Sequence, residues 1–525
     1  MLTAAPLAAA LALAAAAPAG AQAPQRGGVL NFGVSADPPT YDCHATDTFA
    51  MVHSVAPFYS TLLKFDLARY PEIKGDLARE WSVSPDGLTY TFRLHQNVRF
   101  HDGTPLTSAD VVATYERLRD PPEGVVSLRR ASFADIDAVE ALDAHTVVFR
   151  LKAPNPAMLT NFASPFNCVY SAAKLREDPR FPVQNILGTG AFRFVEHVRG
   201  SHVAGERFAD YFLPDRPFLD GIRASVIPQS SAMINALQGG QILAEFRTVG
   251  PADRSRLESA RGNTMRFEEA TWNTGLILIF NTEKPPFDDV RVRRALSLAI
   301  DRNAASQGLR RTSILRDVGA INRPGSVFAM PDAELQRLPG FGTDIQAARA
   351  EARRLLQEAG VGNLSFALSN RTIAQPYTPA GVFLIDQWRQ IGVTVEHRQM
   401  ETSPYVQALG QGNYDVALDF VNQFADEPNL TFLRYISADR SPENRSRAVD
   451  RELDAAYDAL VRETNAERRL QLIRQFETRA MEQAYQVPFL WWQRTVALDA
   501  KVRGWHISPS HLLGQDLVDV WIAQN

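Results

Sequence analysis

Leu276-Ile277-Leu278-Ile279-Phe280, followed by Asn281 and then Pro285-Pro286-Phe287, is the stretch that organises this chain. An unbroken apolar run bounded by turn formers reads as a strand buried on both faces. Just beyond it Asp288 can cap a helix that shows Val292, Ala295, Leu296, Ala299 and Ile300 on one side. The pattern recurs downstream. From Asp344 to Ala359 a helical face carries Ile345, Ala348, Ala352, Leu355 and Leu356 and stops at Gly360, and a second helix ends at Ile391 before Gly392. Short strand-like runs, Leu364 to Leu368 and Val393 to Val395, follow these helices. Helix then strand, repeated, predicts an α/β lobe. Arg447 to Tyr485 is helical in spacing, and Val487-Pro488-Phe489-Leu490-Trp491-Trp492 ends it as a strand.

Upstream, Gly28 to Val34 alternates like a strand and runs into the turn Ala36-Asp37-Pro38-Pro39, with Tyr41 just past it. Pro85-Asp86-Gly87 is a turn from which Leu88, Tyr90, Phe92 and Leu94 leave as a half-buried strand. Thr107 is placed to cap a helix whose apolar face is Val111, Val112, Tyr115 and Leu118. Gly188-Thr189-Gly190 then reads as a tight turn between subdomains.

A chain of 525 residues exceeds the roughly 250 to 300 residues that one hydrophobic core organises, so two large lobes are expected. The Ala- and Leu-rich start closes on the small-x-small sites Ala19-Gly20-Ala21 and Ala21-Gln22-Ala23, which predicts a cleaved signal peptide over residues 1–23, although no Lys or Arg precedes Arg26. No Cys lies near that site, so no lipid anchor is implied, and no later stretch reads as a membrane span. The expected place is the periplasm. Charged residues make up 22% with a net charge of -4 and interspersed signs, which gives no footprint for nucleic acid. The two cysteines, Cys43 and Cys168, are either a disulfide or two free thiols; an oxidising compartment permits the bridge.

A search for catalytic groups finds no Gly-x-Ser-x-Gly elbow, no His-Glu-x-x-His and no phosphate-binding Gly-rich loop. The ten histidines are scattered without metal-ligand spacing, so neither metal nor cofactor is expected. Aromatics point instead to binding. Trp272, next to Asn273, opens the run into the second lobe, and Trp491-Trp492 lies where the chain leaves it; pockets favour such walls. Strict alternation sends Trp491 and Trp492 to opposite faces, so at most one lines a cleft.

Several runs together resemble one family, the extracellular solute-binding proteins (family 5) of dipeptide, oligopeptide and nickel ABC importers. They are Tyr59 to Asp66, Leu77 to Phe92, Val98 to Pro105, Gly188 to Phe192, Asn281 to Asp301 and Leu355 to Gly360. The resemblance implies a two-lobed periplasmic-binding fold of type II: lobe I over 24–58 and 188–272, an extra subdomain over 59–187, lobe II over 273–488, and a return to lobe I over 489–525. It places hinges near Trp272 to Gly275 and Val487 to Trp492. It implies a non-enzymatic monomer that binds a small molecule or peptide and delivers it to permease subunits with their ATPase.

In the family's peptide-binding members a carboxylate four residues before a Pro pairs with the peptide's amino terminus. Here that place, in Asn422-Gln423-Phe424-Ala425-Asp426-Glu427-Pro428, holds Phe424, and Asp426 is the substitute carboxylate or simply a turn residue. The expected ligand-binding set is thus Trp492, Trp491, Asp426, Asn422, Phe424, Trp272, Asn273 and Tyr41. A peptide is the default solute, with an opine, sugar derivative or metal chelate behind it. The competing functions are a periplasmic hydrolase on peptides or glycans, and a chaperone-like or sensor receptor.

Overall fold

In the computed structural model, which describes residues 23–373 and 375–524, the run Leu276 to Phe280 is the end of a 16-residue strand, Met265–Phe280. The predicted leader lies, apart from Ala23, outside the described residues. The partner of this strand is the 14-residue Gln486–Asp499, antiparallel to it. Their register slips between Thr271 and Gly275 and again between Gly275 and Ile277. Such slips bend a ladder and re-aim its side chains. On one side of them Met265 to Thr271 pairs with Asp499 to Gln493, and on the other Gly275 to Ile279 pairs with Trp491 to Gln486.

One 11-stranded sheet therefore passes through both lobes. Its order is Thr394–Met400, Ser365–Arg371, Val416–Asn422, Met265–Phe280, Gln486–Asp499, Ala244–Glu245, Val29–Val34, Gly221–Val226, His202–Arg207 and Phe192–Val198, with Leu315–Asp317 paired to Gln486–Asp499 off this path. The fold is α/β and two-lobed, as expected.

The first lobe's core gathers Leu30, Phe32, Val55 and Phe58 with Phe92, Tyr115 and Phe149. The last three belong to a separate four-stranded sheet, Ala78–Val83, Thr89–Leu94, Thr146–Leu151 and Ile136–Asp143, and to the helix Ser108–Arg119 that packs on it. This small sheet and the main one thus share one continuous apolar core. Thr107 begins the helix in a reciprocal cap with Asp110, whose carboxylate accepts the Thr107 N–H at 2.8 Å. Cys43 and Cys168 are joined by a disulfide with their Cα atoms 6.0 Å apart.

The second lobe's core is built on Trp272, Leu276, Leu278 and Phe280, with Val292, Leu296, Leu356 and Trp388 from covering helices. The helix after the long strand is Val290–Leu298, and its cap is Asp289, not Asp288: Asp289 is the last extended residue, and its carboxylate accepts the Arg291 N–H at 2.8 Å. Asp344 caps Ile345–Glu358 through the Ala347 N–H at 3.0 Å. The helical spacing from Arg447 to Tyr485 resolves into two helices, Arg451–Leu460 and Ala466–Gln483. Among the described residues no helix is long and apolar enough to cross a membrane.

Candidate functional site

At the slips of register the two long strands deliver three tryptophans to the junction of the lobes. Trp491 and Trp492 leave their strand on opposite sides. Trp491 packs with Ile277, Ile279 and Tyr405, and its Nε1 donates to the Ala320 carbonyl at 3.2 Å. A Cβ at Gly275 would stand 3.2 Å from its ring, so the glycine allows the indole to lie on the neighbouring strand. Trp492 faces the other way, its ring 5.6 Å from that of Trp272, 6.3 Å from Tyr377 and 6.4 Å from Phe420. Behind Trp272 stands His511, whose Nδ1 accepts the indole N–H at 3.1 Å. Burial drives His53 down to about 3 and His511 well below its usual range, so both imidazoles are neutral spacers.

Two arginines flank this aromatic wall, one from each lobe. Arg371 ends the strand Ser365–Arg371. The parallel register that sets Ser369 beside Ala417 carries Arg371 beside Asp419, whose Oδ1 accepts its Nη2 at 2.9 Å. Its guanidinium also lies 5.0 Å from the Tyr377 ring, 4.4 Å from Tyr405 and 5.1 Å from Phe420. Arg247 follows the short strand Ala244–Glu245 and sits 4.7 Å from the Phe49 ring and 5.6 Å from Trp272. Its backbone is clamped by the buried Arg494, whose Nε donates to the Arg247 carbonyl at 3.0 Å and whose Nη1 donates to the Ser508 carbonyl at 2.7 Å. Tyr377 lies within electrostatic reach of both arginines; burial pushes its hydroxyl up to about 12 against their pull.

The remaining expected residues separate from this wall. The Asn273 amide donates to the Gln423 carbonyl, and Asn422 Oδ1 accepts the Thr274 hydroxyl at 2.9 Å; both secure the strand beside the junction. Asp426 is committed to Arg323 and to the Tyr70 hydroxyl. The cavity beside it, lined by Asn273, Arg323, Gln423 and Trp491, measures about 20 Å³, room for about one water. Phe424 is 8% exposed and packs into the core of the first lobe. Tyr41 does not join the others: its hydroxyl contacts His197 Nδ1 at 2.7 Å, and His197 in turn contacts Asp37 at 2.8 Å. A larger cavity of about 340 Å³ lies elsewhere, among Tyr59, Lys64, Trp505 and Trp521.

Sequence reading passed over Arg247, Arg371, Asp419 and Tyr377. Arg247 and Arg371 stand just past or at the carboxyl ends of strands, where open α/β sheets present ligand sites. Asp419 is a charge amid the apolar residues Val416 to Val421 of the strand Val416–Asn422.

Comparison with known proteins accords with this architecture. The chain is 26% identical over 479 residues to di/tripeptide-binding protein 1 of Pseudomonas aeruginosa, covering 85% of each chain. It superposes with a TM-score of 0.82 on the ABC transporter substrate-binding protein CtaP of Listeria monocytogenes, 23% identical, covering 95% of this chain and 100% of that one. With the periplasmic binding protein DppA of Helicobacter pylori, solved with the peptide STSA, the TM-score is 0.78 at 22% identity, over 95% and 99% of the two chains. The model for bacterial extracellular solute-binding proteins, family 5, matches residues 72–441. That family is one of solute-binding proteins, not of enzymes. A two-lobed sheet crossed by paired strands, an aromatic wall where they cross, and a family match over most of the length make this chain a member of the bacterial extracellular solute-binding proteins, family 5.

Proposed function

We propose that this protein captures a small, peptide-like solute between its lobes in the periplasm and hands it to the permease and ATPase subunits of an ABC importer. The observation that carries this reading is the meeting of Trp272 and Trp492 with Arg247 and Arg371 where two strands cross between the lobes. An apolar wall with a few fixed polar groups is what holds a small solute, and closure of two lobes around it buries it. The Pseudomonas relative, named a di/tripeptide-binding protein, supports the peptide-like class.

The mode of holding departs from simple capture of a peptide's ammonium group. Phe424 stands at the family's acidic position, and Asp426 has spent its carboxylate on Arg323. Native mass spectrometry of protein taken gently from periplasm, followed by denaturation and identification of the released molecule, tests the reading. One peptide-like solute per chain is the expected result. A chain that carries no solute and gains no thermal stability from any of a broad peptide library overturns it.

A further inference from the structure

Three buried N–H donors at the lobe junction have no acceptor among the described residues: Arg247 Nε, Arg371 Nη1 and Trp492 Nε1. Buried donors are nearly always satisfied, so three on contiguous side chains ask what they are meant to meet. They do belong to one set. The Arg247 guanidinium and the Trp492 ring each lie 5.6 Å from Trp272, and Tyr377 lies 6.3 Å from Trp492 and 5.0 Å from Arg371.

The protein's own acids do not answer these donors. Asp419 takes only Nη2 of Arg371. Glu245 spends Oε1 on the Arg247 backbone N–H at 3.0 Å, and its Oε2 has no partner among the described residues, so it does not reach the Arg247 side chain with a hydrogen bond. Each arginine therefore keeps an open, charged donor on its own lobe. A solute with one anionic group would satisfy one of these donors and leave the other buried without an acceptor, which is costly. A free ammonium in the same place would face two guanidinium groups; Asp426 is held by Arg323, and beside Arg247 only Glu245 Oε2 keeps no partner among the described residues.

Resting on the capture reading above, we propose that the solute is a peptide-like dicarboxylate, one carboxylate turned to Arg247 and the other to Arg371, its body along Trp492 and Trp272. The two anionic groups make it a bridge between the lobes, so that charge as well as shape selects it.

Titration calorimetry on the exhaustively dialysed full chain tests this with three probes: N-acetyl-Ala-Glu, its isostere N-acetyl-Ala-Gln, and unblocked Ala-Ala. The dicarboxylate is expected to bind at least about tenfold more tightly than the Gln isostere, since one charge-assisted bond separates them. Arg247→Gln is expected to erase that preference, and Arg247→Lys, which keeps the charge, to retain part of it. Equal affinity for the Glu and Gln probes, tighter binding of Ala-Ala, or a preference unchanged in Arg247→Gln overturns the dicarboxylate and leaves solute capture standing. Binding of none of the three overturns the peptide-like capture itself.

Discussion

Asp426 and Arg323 form a two-point ion pair, Oδ1 to Nε at 2.9 Å and Oδ2 to Nη2 at 2.6 Å, with both side chains less than a tenth exposed. From the other lobe the Tyr70 hydroxyl donates to the same carboxylate at 3.0 Å. Loss of one partner from a buried pair leaves the other charge stranded, at about 3–5 kcal/mol. Asp426→Asn is expected to lose stability of that order in urea denaturation. Tyr70→Phe removes a bond between lobes and should cost clearly less; equal losses would show that the tyrosine, not Arg323, sets the role of Asp426.

Phe424 reaches from the second lobe into the first lobe's core. Truncating a buried Phe removes up to about 3–5 kcal/mol of packing. Because this packing lies between lobes, Phe424→Ala should favour the open form, so small-angle scattering is expected to report a larger radius of gyration with unchanged helix content by circular dichroism. An unchanged radius would remove Phe424 from any part in closure.

The bond between Cys43 and Cys168 closes a loop of 125 residues in sequence. A cross-link of that reach stabilises mainly by restricting the unfolded chain, by about 2–5 kcal/mol. Reduction, or the double change Cys43→Ser with Cys168→Ser, is expected to lower the denaturation midpoint by a corresponding amount. No shift on reduction would show that the surrounding core alone holds the region.

Burial raises Glu245 to about 7 in the folded protein, against an ordinary glutamate near 4.3 in the unfolded chain. The folded state therefore binds this proton more tightly, and its contribution to stability is full below the unfolded value and lost as pH rises through about 7. Glu245→Gln removes the dependence. Relative to the parent it should gain on the order of 1–3 kcal/mol between pH 5 and pH 8; a difference that stays constant across that range counts against a buried, protonatable Glu245.

Local signals carried most of the fold. Asp344 and Gly360 bracket their helix because capping and a left-handed stop are decided within a few residues, and Thr107 is legible for the same reason. Asp288 lost to Asp289 because two adjacent acids compete for one cap, and only backbone geometry chooses between them. The pairing of Met265–Phe280 with Gln486–Asp499 has no local signature, so the slips of register that aim Trp492 and Trp491 were out of reach. The same holds for the site. Trp272 and Trp492 could be picked out as aromatics near crossings, whereas Arg247 meets Trp272 only through Arg494 and the segment near Ser508, residues remote in sequence.

The shared ladder also sets an order of assembly. On the side facing the second lobe, Ala244–Glu245 has no neighbour until Leu498 and Ala497 arrive, and Arg494 cannot clamp Arg247 to the tail before Ser508 exists. A chain that emerges amino end first must therefore hold an unsealed sheet edge through the synthesis of the entire second lobe. The segment from Arg494 to Ser508 acts as a closing stitch, and a nascent chain stopped short of it exposes a strand edge that invites pairing with another molecule.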